Sequence, residues 1–145
     1  MSDSQYPAKQ NYQIINLSLA GIILCIFVYS GLFSPEESKH PIPSFYTQIT
    51  NKNSPSTGLS RSFSAIIRGD IQLARTFNST GPQLFLFFLT QLVFRIVSIL
   101  LIKKNSPLLK PYVVTDIILS ILGFYLAFKP FIFFTLELFK QNIAS

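Results

Sequence analysis

The chain has 145 residues, which bounds it to one domain, and it is 49% hydrophobic but only 12% charged, against about 25% charged for soluble globular proteins. Its mean hydropathy is +0.43, and the apolar residues gather into blocks long enough to span lipid. The formal charge of +6 does not point to nucleic acid, because the basic residues are scattered and several abut apolar runs, where basic charge governs topology or meets anionic lipid.

Residues 1–13 read as a short polar tail. The first apolar run, 14–33, is interrupted early by Asn16 and Ser18 and meets the roughly 20 residues that about 30 Å of hydrocarbon requires. A cleaved signal peptide is the competing reading, with Val28 and Ser30 ahead of Gly31 as a small-residue cleavage site. The run exceeds the usual 7–15-residue apolar core of such peptides, and only Lys9 precedes it, so a retained helix is expected. Cys25, the single cysteine, lies inside this run. It excludes an intramolecular disulfide and a cysteine-ligated metal cluster within one chain, and reads as a small packing or lipid-facing residue.

Ser34-Pro35-Glu36-Glu37, then Pro41 and Pro43, mark residues 34–56 as a loop, since proline at this density stops helices. Residues 57–77 differ. Arg61, Arg68 and Arg75 recur every seventh position with Ser64 and Gln72 beside them, while Phe63, Ile66, Ile67, Ile71, Leu73, Ala74 and Phe77 cover the other side. That is the pattern of an amphipathic helix lying in the membrane interface. Asp70 falls on the apolar side, so either Gly69 interrupts the helix or Asp70 turns inward to a partner.

Asn78-Ser79-Thr80-Gly81-Pro82 reads as a turn. A second span follows over 84–102, carrying Gln91 and Arg95, and a third over 112–128, carrying Asp116. The short connection between them makes an antiparallel hairpin. After Lys129-Pro130, the apolar residues 130–140 form a terminal half-helix that either continues past a proline kink or lies along the surface. The expected fold is therefore an all-α integral membrane protein of three transmembrane helices plus one interfacial helix. Fifteen Phe are available for packing, and with no Trp the six Tyr must supply any aromatic belt. Lys103, Lys104 and Lys110, with no acid between them, place residues 103–111 and the N-terminus in the cytoplasm. The opposing sign is that the outer segment holds Lys39, Lys52 and the three arginines.

The stretch Ser54-Pro55-Ser56-Thr57-Gly58-Leu59-Ser60-Arg61, with Arg68-Gly69-Asp70, Ala74, Asn78 and Gly81-Pro82 after it, resembles the small bacterial membrane proteins grouped as domain of unknown function 2752. Their hallmark is Cys-Pro-x-Cys-Gly-x-Thr-Arg ahead of a helix and a transmembrane segment. The resemblance covers roughly residues 46–102 and implies a bacterial membrane protein with no activity to carry over. Ser54 and Thr57 stand where the family has cysteines. Hydroxyls neither ligate zinc well nor exchange disulfides, so no metal is expected here. What remains is a turn fixed by Pro55, a close approach or positive φ at Gly58, and a helix cap from Ser54 or Thr57.

No constellation for catalysis emerges. His40 is the only histidine, Glu36 and Glu37 read as a hydrated loop edge, and no glycine-rich phosphate loop is present. The intramembrane charges carry more information, because an ionisable group at bilayer depth is costly unless paired. Arg95 lies about 12 Å, and Asp116 about 7 Å, in from the same end of the hairpin, so an ion pair pinning the two helices is expected. Contact with another subunit, or an ion path, is the sharper alternative. Arg61, Arg68, Asp70 and Arg75 read either as a solvated face or as a site for anionic lipid headgroups or an acidic partner. The functional expectation is a small non-catalytic subunit or accessory factor of a larger membrane complex, with no cofactor. The alternatives are a transporter or channel component using Arg95 and Asp116, and an interfacial lipid-binding protein.

Overall fold

The computed structural model describes residues 5–35, 55–104 and 109–143. They form five helices: α1 (Gln5–Leu32), α2 (Leu59–Ile67), α3 (Ile71–Phe77), α4 (Gly81–Lys104) and α5 (Leu109–Ile143). Three of these are long and apolar enough to cross a membrane, over Lys9–Leu32, Gly81–Lys103 and Lys110–Lys140. Helix α4 is central, with α1 on one side and α5 on the other, while α2 rests on both α1 and α4 and α3 reaches α4.

Helix α1 begins well before the apolar run at 14–33. The preceding Gln and Tyr residues tolerate helix, and Pro7 falls in the first turn, where its missing N–H is harmless. Tyr12 in this polar extension and Asn16 one turn later have partners on the other long helices.

The segment 57–77 is not one helix. Gly69 adopts φ +85°, Gly69 N–H donates to Ile66 O at 2.9 Å, and Asp70 N–H donates to Ala65 O at 3.0 Å. These two bonds make a Schellman ending for α2. Asp70 then starts α3 as its N-cap, its Oδ1 accepting from Leu73 N–H at 2.8 Å. The apolar position of Asp70 on a continuous helical wheel thus has a local cause, a helix end followed at once by a helix start.

The third span and the terminal half-helix are a single helix, α5, which runs through Pro130. Proline cannot donate to the carbonyl four residues earlier, and that carbonyl belongs to Leu126. Gln83 of α4 fills the vacancy, its Nε2 donating to Leu126 O at 2.7 Å. A side chain from the neighbouring helix therefore satisfies the group that Pro130 leaves open.

Packing is aromatic at the end where α2 sits. Phe63, Leu84 and Ala127 are buried together with Phe85, Phe87, Phe88, Phe128 and Phe131 packed against them. Phe87 and Phe128 meet edge to face at 5.7 Å and Phe63 meets Phe85 likewise at 5.4 Å, the arrangement that ring quadrupoles favour. Outward-facing apolar residues such as Ile118, Ile121 and Leu126 of α5 are exposed.

Candidate functional site

At the other end the three long helices enclose a polar core. Arg95 and Asp116 are only 5% and 3% exposed, and Arg95 Nη2 lies 2.6 Å from Asp116 Oδ1. Helix geometry produces the meeting. Gln91, Arg95 and Ser98 share one face of α4, Asp116 and Ser120 lie one turn apart on α5, and Tyr12 and Asn16 lie one turn apart on α1. The antiparallel hairpin brings the first two faces together, and α1 closes the third side.

Each charge has several partners. Arg95 donates from Nη1 to Asn16 Oδ1 at 2.8 Å, and from Nη2 toward Gln91 Oε1 at 3.1 Å and Ser120 Oγ at 3.0 Å as well as to Asp116. The second carboxylate oxygen, Asp116 Oδ2, accepts from Tyr12 O–H at 2.9 Å. Ser98 donates to Phe94 O at 2.7 Å and lies 3.2 Å from the Tyr12 hydroxyl. Tyr112 donates to the same Phe94 carbonyl at 2.9 Å. One donor is left over, since Arg95 Nε is buried without a hydrogen-bond partner. The site is enclosed, charge-neutral as a pair and tied to all three long helices, an arrangement suited to fixing their register. A buried ion pair of this kind is costly to break, because either partner left alone is a stranded charge.

Sequence reasoning named Arg95 and Asp116 and missed the rest of the core. The signals were Asn16 interrupting the first apolar run, Gln91 one turn before Arg95, and Ser120 one turn after Asp116. Gln91 and Ser120 lie on faces already marked by a charge, and Asn16 is an early polar break in an apolar run.

The Ser54–Arg61 stretch and the arginines lie at the opposite end. Gly58 precedes α2 with φ +76°, and a Cβ there would collide with the Phe77 carbonyl. Both reasons for glycine therefore apply at once. The N-cap of α2 is Gly58, which has no side chain to cap with. Ser54 lies outside the described residues, as do Glu36, Glu37, Lys39, His40 and Lys52. The loop is stitched instead by Asn78, whose Nδ2 donates to Pro55 O at 2.8 Å and Thr57 O at 2.9 Å. Its Oδ1 accepts from Thr80 N–H at 3.0 Å and from the Thr80 hydroxyl at 2.7 Å. Ser60 is exposed beside Arg61.

The arginines occupy three separate settings, and the break at Gly69 puts Arg75 on a different helix from Arg61 and Arg68. Arg61 donates from Nε to Pro35 O at 2.6 Å, and its guanidinium lies 4.0 Å over the Phe77 ring. Arg68 reaches the last carbonyls of α1, with Nη2 donating to Gly31 O at 3.2 Å and Nη1 lying 3.4 Å from Ser30 O. The same Nη1 bonds Ser64 O at 2.9 Å and Ser64 Oγ at 2.8 Å. Ser64, fully buried, also donates toward Ser30 O at 2.6 Å and approaches Phe33 O. Helix α1 thus ends with a cation and a hydroxyl on carbonyls that have no intrahelical donor. Arg75 is exposed on α3, and Asp70 is engaged as its cap.

Among the described residues, no group of three His, Cys, Asp or Glu side chains comes together to hold a metal. Comparison with family models, with curated proteins and with solved structures finds no match to this chain.

Proposed function

We infer that this chain is a small, non-catalytic membrane subunit or accessory factor that docks onto a larger membrane protein complex. The observation that carries the reading is the reach of α5. If Lys110 marks one membrane boundary, about 30 Å of hydrocarbon takes roughly 20 helical residues and brings the other boundary to Lys129 and Pro130. Gln83 and the turn before α4 sit at that same level. Helix α5 nevertheless continues to Ile143, and on the extension Phe133, Leu136 and Phe139 are 52%, 52% and 63% exposed. An apolar helical arm past the boundary gains stability by burial against another protein.

The setting of Arg95 and Asp116 supports a structural role over a transport route, since both are enclosed and bonded to each other. In this reading Lys103 and Lys110, both exposed, face the cytoplasm together with the N-terminal end of α1. The α2–α3 pair lies at the opposite interface. The resemblance to domain of unknown function 2752 adds a bacterial membrane to the proposal, on the strength of Pro55, Gly58, Arg61 and Asn78.

Native purification in mild detergent tests the reading. The full chain is expected to co-migrate with a defined complex, and Leu136→Glu with Phe139→Glu is expected to abolish co-migration while leaving the chain in the membrane fraction. A wild-type chain that migrates alone as a stable oligomer and supports ion flux in liposomes would favour the transporter alternative instead.

A further inference from the structure

We propose that the trough between α1 and α2 holds one acyl chain of an anionic glycerophospholipid, with its phosphate at Arg68. The proposal rests on the reading of α1 as a membrane-crossing helix. The trough has a volume of about 840 Å3. On α1 the small residues Ser18, Gly21 and Cys25 line it beside Ile22, Ile26 and Tyr29, and Leu59 and Phe63 of α2 with Phe88 of α4 line the other side. The missing side chain at Gly21 and the short ones at Ser18 and Cys25 leave the space open. Gly21 and Cys25 are exposed to it, and a Cβ added at Gly21 would meet nothing within 4 Å.

Length and depth select the occupant. From Ser18 to Ser30 the lining spans about 18 Å of helix, close to the depth of one leaflet of a hydrocarbon layer about 30 Å thick. Water gains little from such an apolar trough, whereas an acyl chain matches both its chemistry and its length. Charge selects the headgroup. Ser30 ends the trough, and its carbonyl is one that Arg68 approaches. Arg68 is exposed, and the contacts it makes on α1 and α2 come from Nη1 and Nη2 alone. A guanidinium carries five N–H groups, so Arg68 can cap α1 and still donate to a phosphate, a pairing that arginine favours. The exposed hydroxyl of Ser60 lines the same trough.

Native mass spectrometry of the delipidated full chain, after re-addition of phosphatidylglycerol or phosphatidylcholine, tests this directly. The wild-type protein is expected to retain a single phosphatidylglycerol and to retain phosphatidylcholine more weakly. Gly21→Phe, which puts a bulky side chain into the trough from a position where a Cβ meets no atom within 4 Å, is expected to lose the adduct. Arg68→Gln is expected to lose the preference for the anionic lipid. Because Arg68→Gln also weakens the end of α1, the decisive variant is Gly21→Phe, and equal lipid retention by it and the wild type overturns the proposal. Efficient oxidative cross-linking through Cys25 would assign the trough to a second copy of the chain and would overturn it too. Carbonate extraction of the same membranes reads the premise separately. A chain that resists extraction but binds no lipid refutes the trough alone, whereas an extractable chain refutes the membrane reading with it.

Discussion

The two ends of the three-helix body are held by different physics. Near the start of α1, Arg95, Asp116, Asn16 and Tyr12 join three helices through short directional bonds. Near the end of α1, the same helices meet through phenyl rings around Leu84 and Ala127. In the bilayer that the proposed function implies, lipid tails are as apolar as the rings, so the aromatic end would gain only packing complementarity, with little from the hydrophobic effect. The polar end has no equivalent in lipid at all, since a charge separated from its partner has nowhere favourable to go. The difference assigns roles: the polar end fixes register, and the aromatic end fills space around it.

The largest expected effect comes from breaking the polar end. Arg95→Ala and Asp116→Ala should each strand the opposite charge and lower the yield of folded protein, with a loss on the order of 3–5 kcal/mol. The double variant should recover part of it, a coupling of about 1–2 kcal/mol that lies above the ~0.6 kcal/mol average for polar contacts between membrane helices. Steric-trap or denaturant unfolding in micelles measures the cycle. Strictly additive losses would mean that the two charges act through other partners.

Phe128→Ala tests the aromatic end. Phe128 touches Phe87, Phe88, Phe124 and Phe131, and aromatic pairs contribute about 0.5–1.5 kcal/mol each beyond buried area. Because lipid can enter the space left behind, a total near 2 kcal/mol is expected, without loss of helix register by cysteine cross-linking between α4 and α5. A register shift in this variant would remove the distinction between the two ends.

How much of this was legible in the sequence differs between the ends in the same way. Arg95 and Asp116 stand out because a charge in an apolar run demands a partner, and helical rise alone puts them at similar depth. The three long helices follow from apolar blocks of sufficient length. The aromatic end carries no comparable mark: fifteen Phe in a lipid-compatible sequence do not announce which ones face inward. The Gly69-Asp70 break was half legible, because glycine and aspartate are the ordinary residues for ending one helix and starting the next, yet a seven-residue arginine repeat suggests continuity. The positions of Arg61 and Arg68 were not legible, since nothing local links them to the carbonyls of Pro35 and Gly31, far away in the chain. The continuity of α5 through Pro130 was one of two readings the sequence left open, and what favours it comes from Gln83 on another helix.

Gln83→Leu probes a polar bond set within the aromatic end. The substitution removes the donor to Leu126 O and keeps the side chain's bulk. An unsatisfied backbone carbonyl costs about 1–3 kcal/mol when fully buried. Gln83 is exposed, so water can replace part of the bond, and a loss near 1 kcal/mol is expected. The sharper readout is shape. Spin labels placed before and after Pro130 should report a broader distance distribution in Gln83→Leu, because the bond that splints the proline is gone. An unchanged distribution would mean that packing by Phe128 and Phe131 holds α5 continuous without it.

Tyr12→Phe should have the smallest effect, and its size ranks the members of the polar core. The Tyr12 hydroxyl donates to Asp116 Oδ2 while Arg95 holds Oδ1. Removing the hydroxyl therefore leaves the carboxylate with its cation and costs one neutral-to-charged bond at a half-buried site. Because α1 and α5 share no close backbone approach among the described residues, this bond is a direct side-chain link between them, and α1 remains tied to α4 through Asn16 and Arg95. A loss of about 0.6 kcal/mol, the average for polar contacts between membrane helices, is expected. The same change in an Asp116→Ala background should cost nearly nothing, since its acceptor is already absent. If Tyr12→Phe instead matched Asp116→Ala in severity, the ion pair would depend on the phenol to exclude water. The polar end would then be a single cooperative unit in which the charges cannot be ranked above the groups around them.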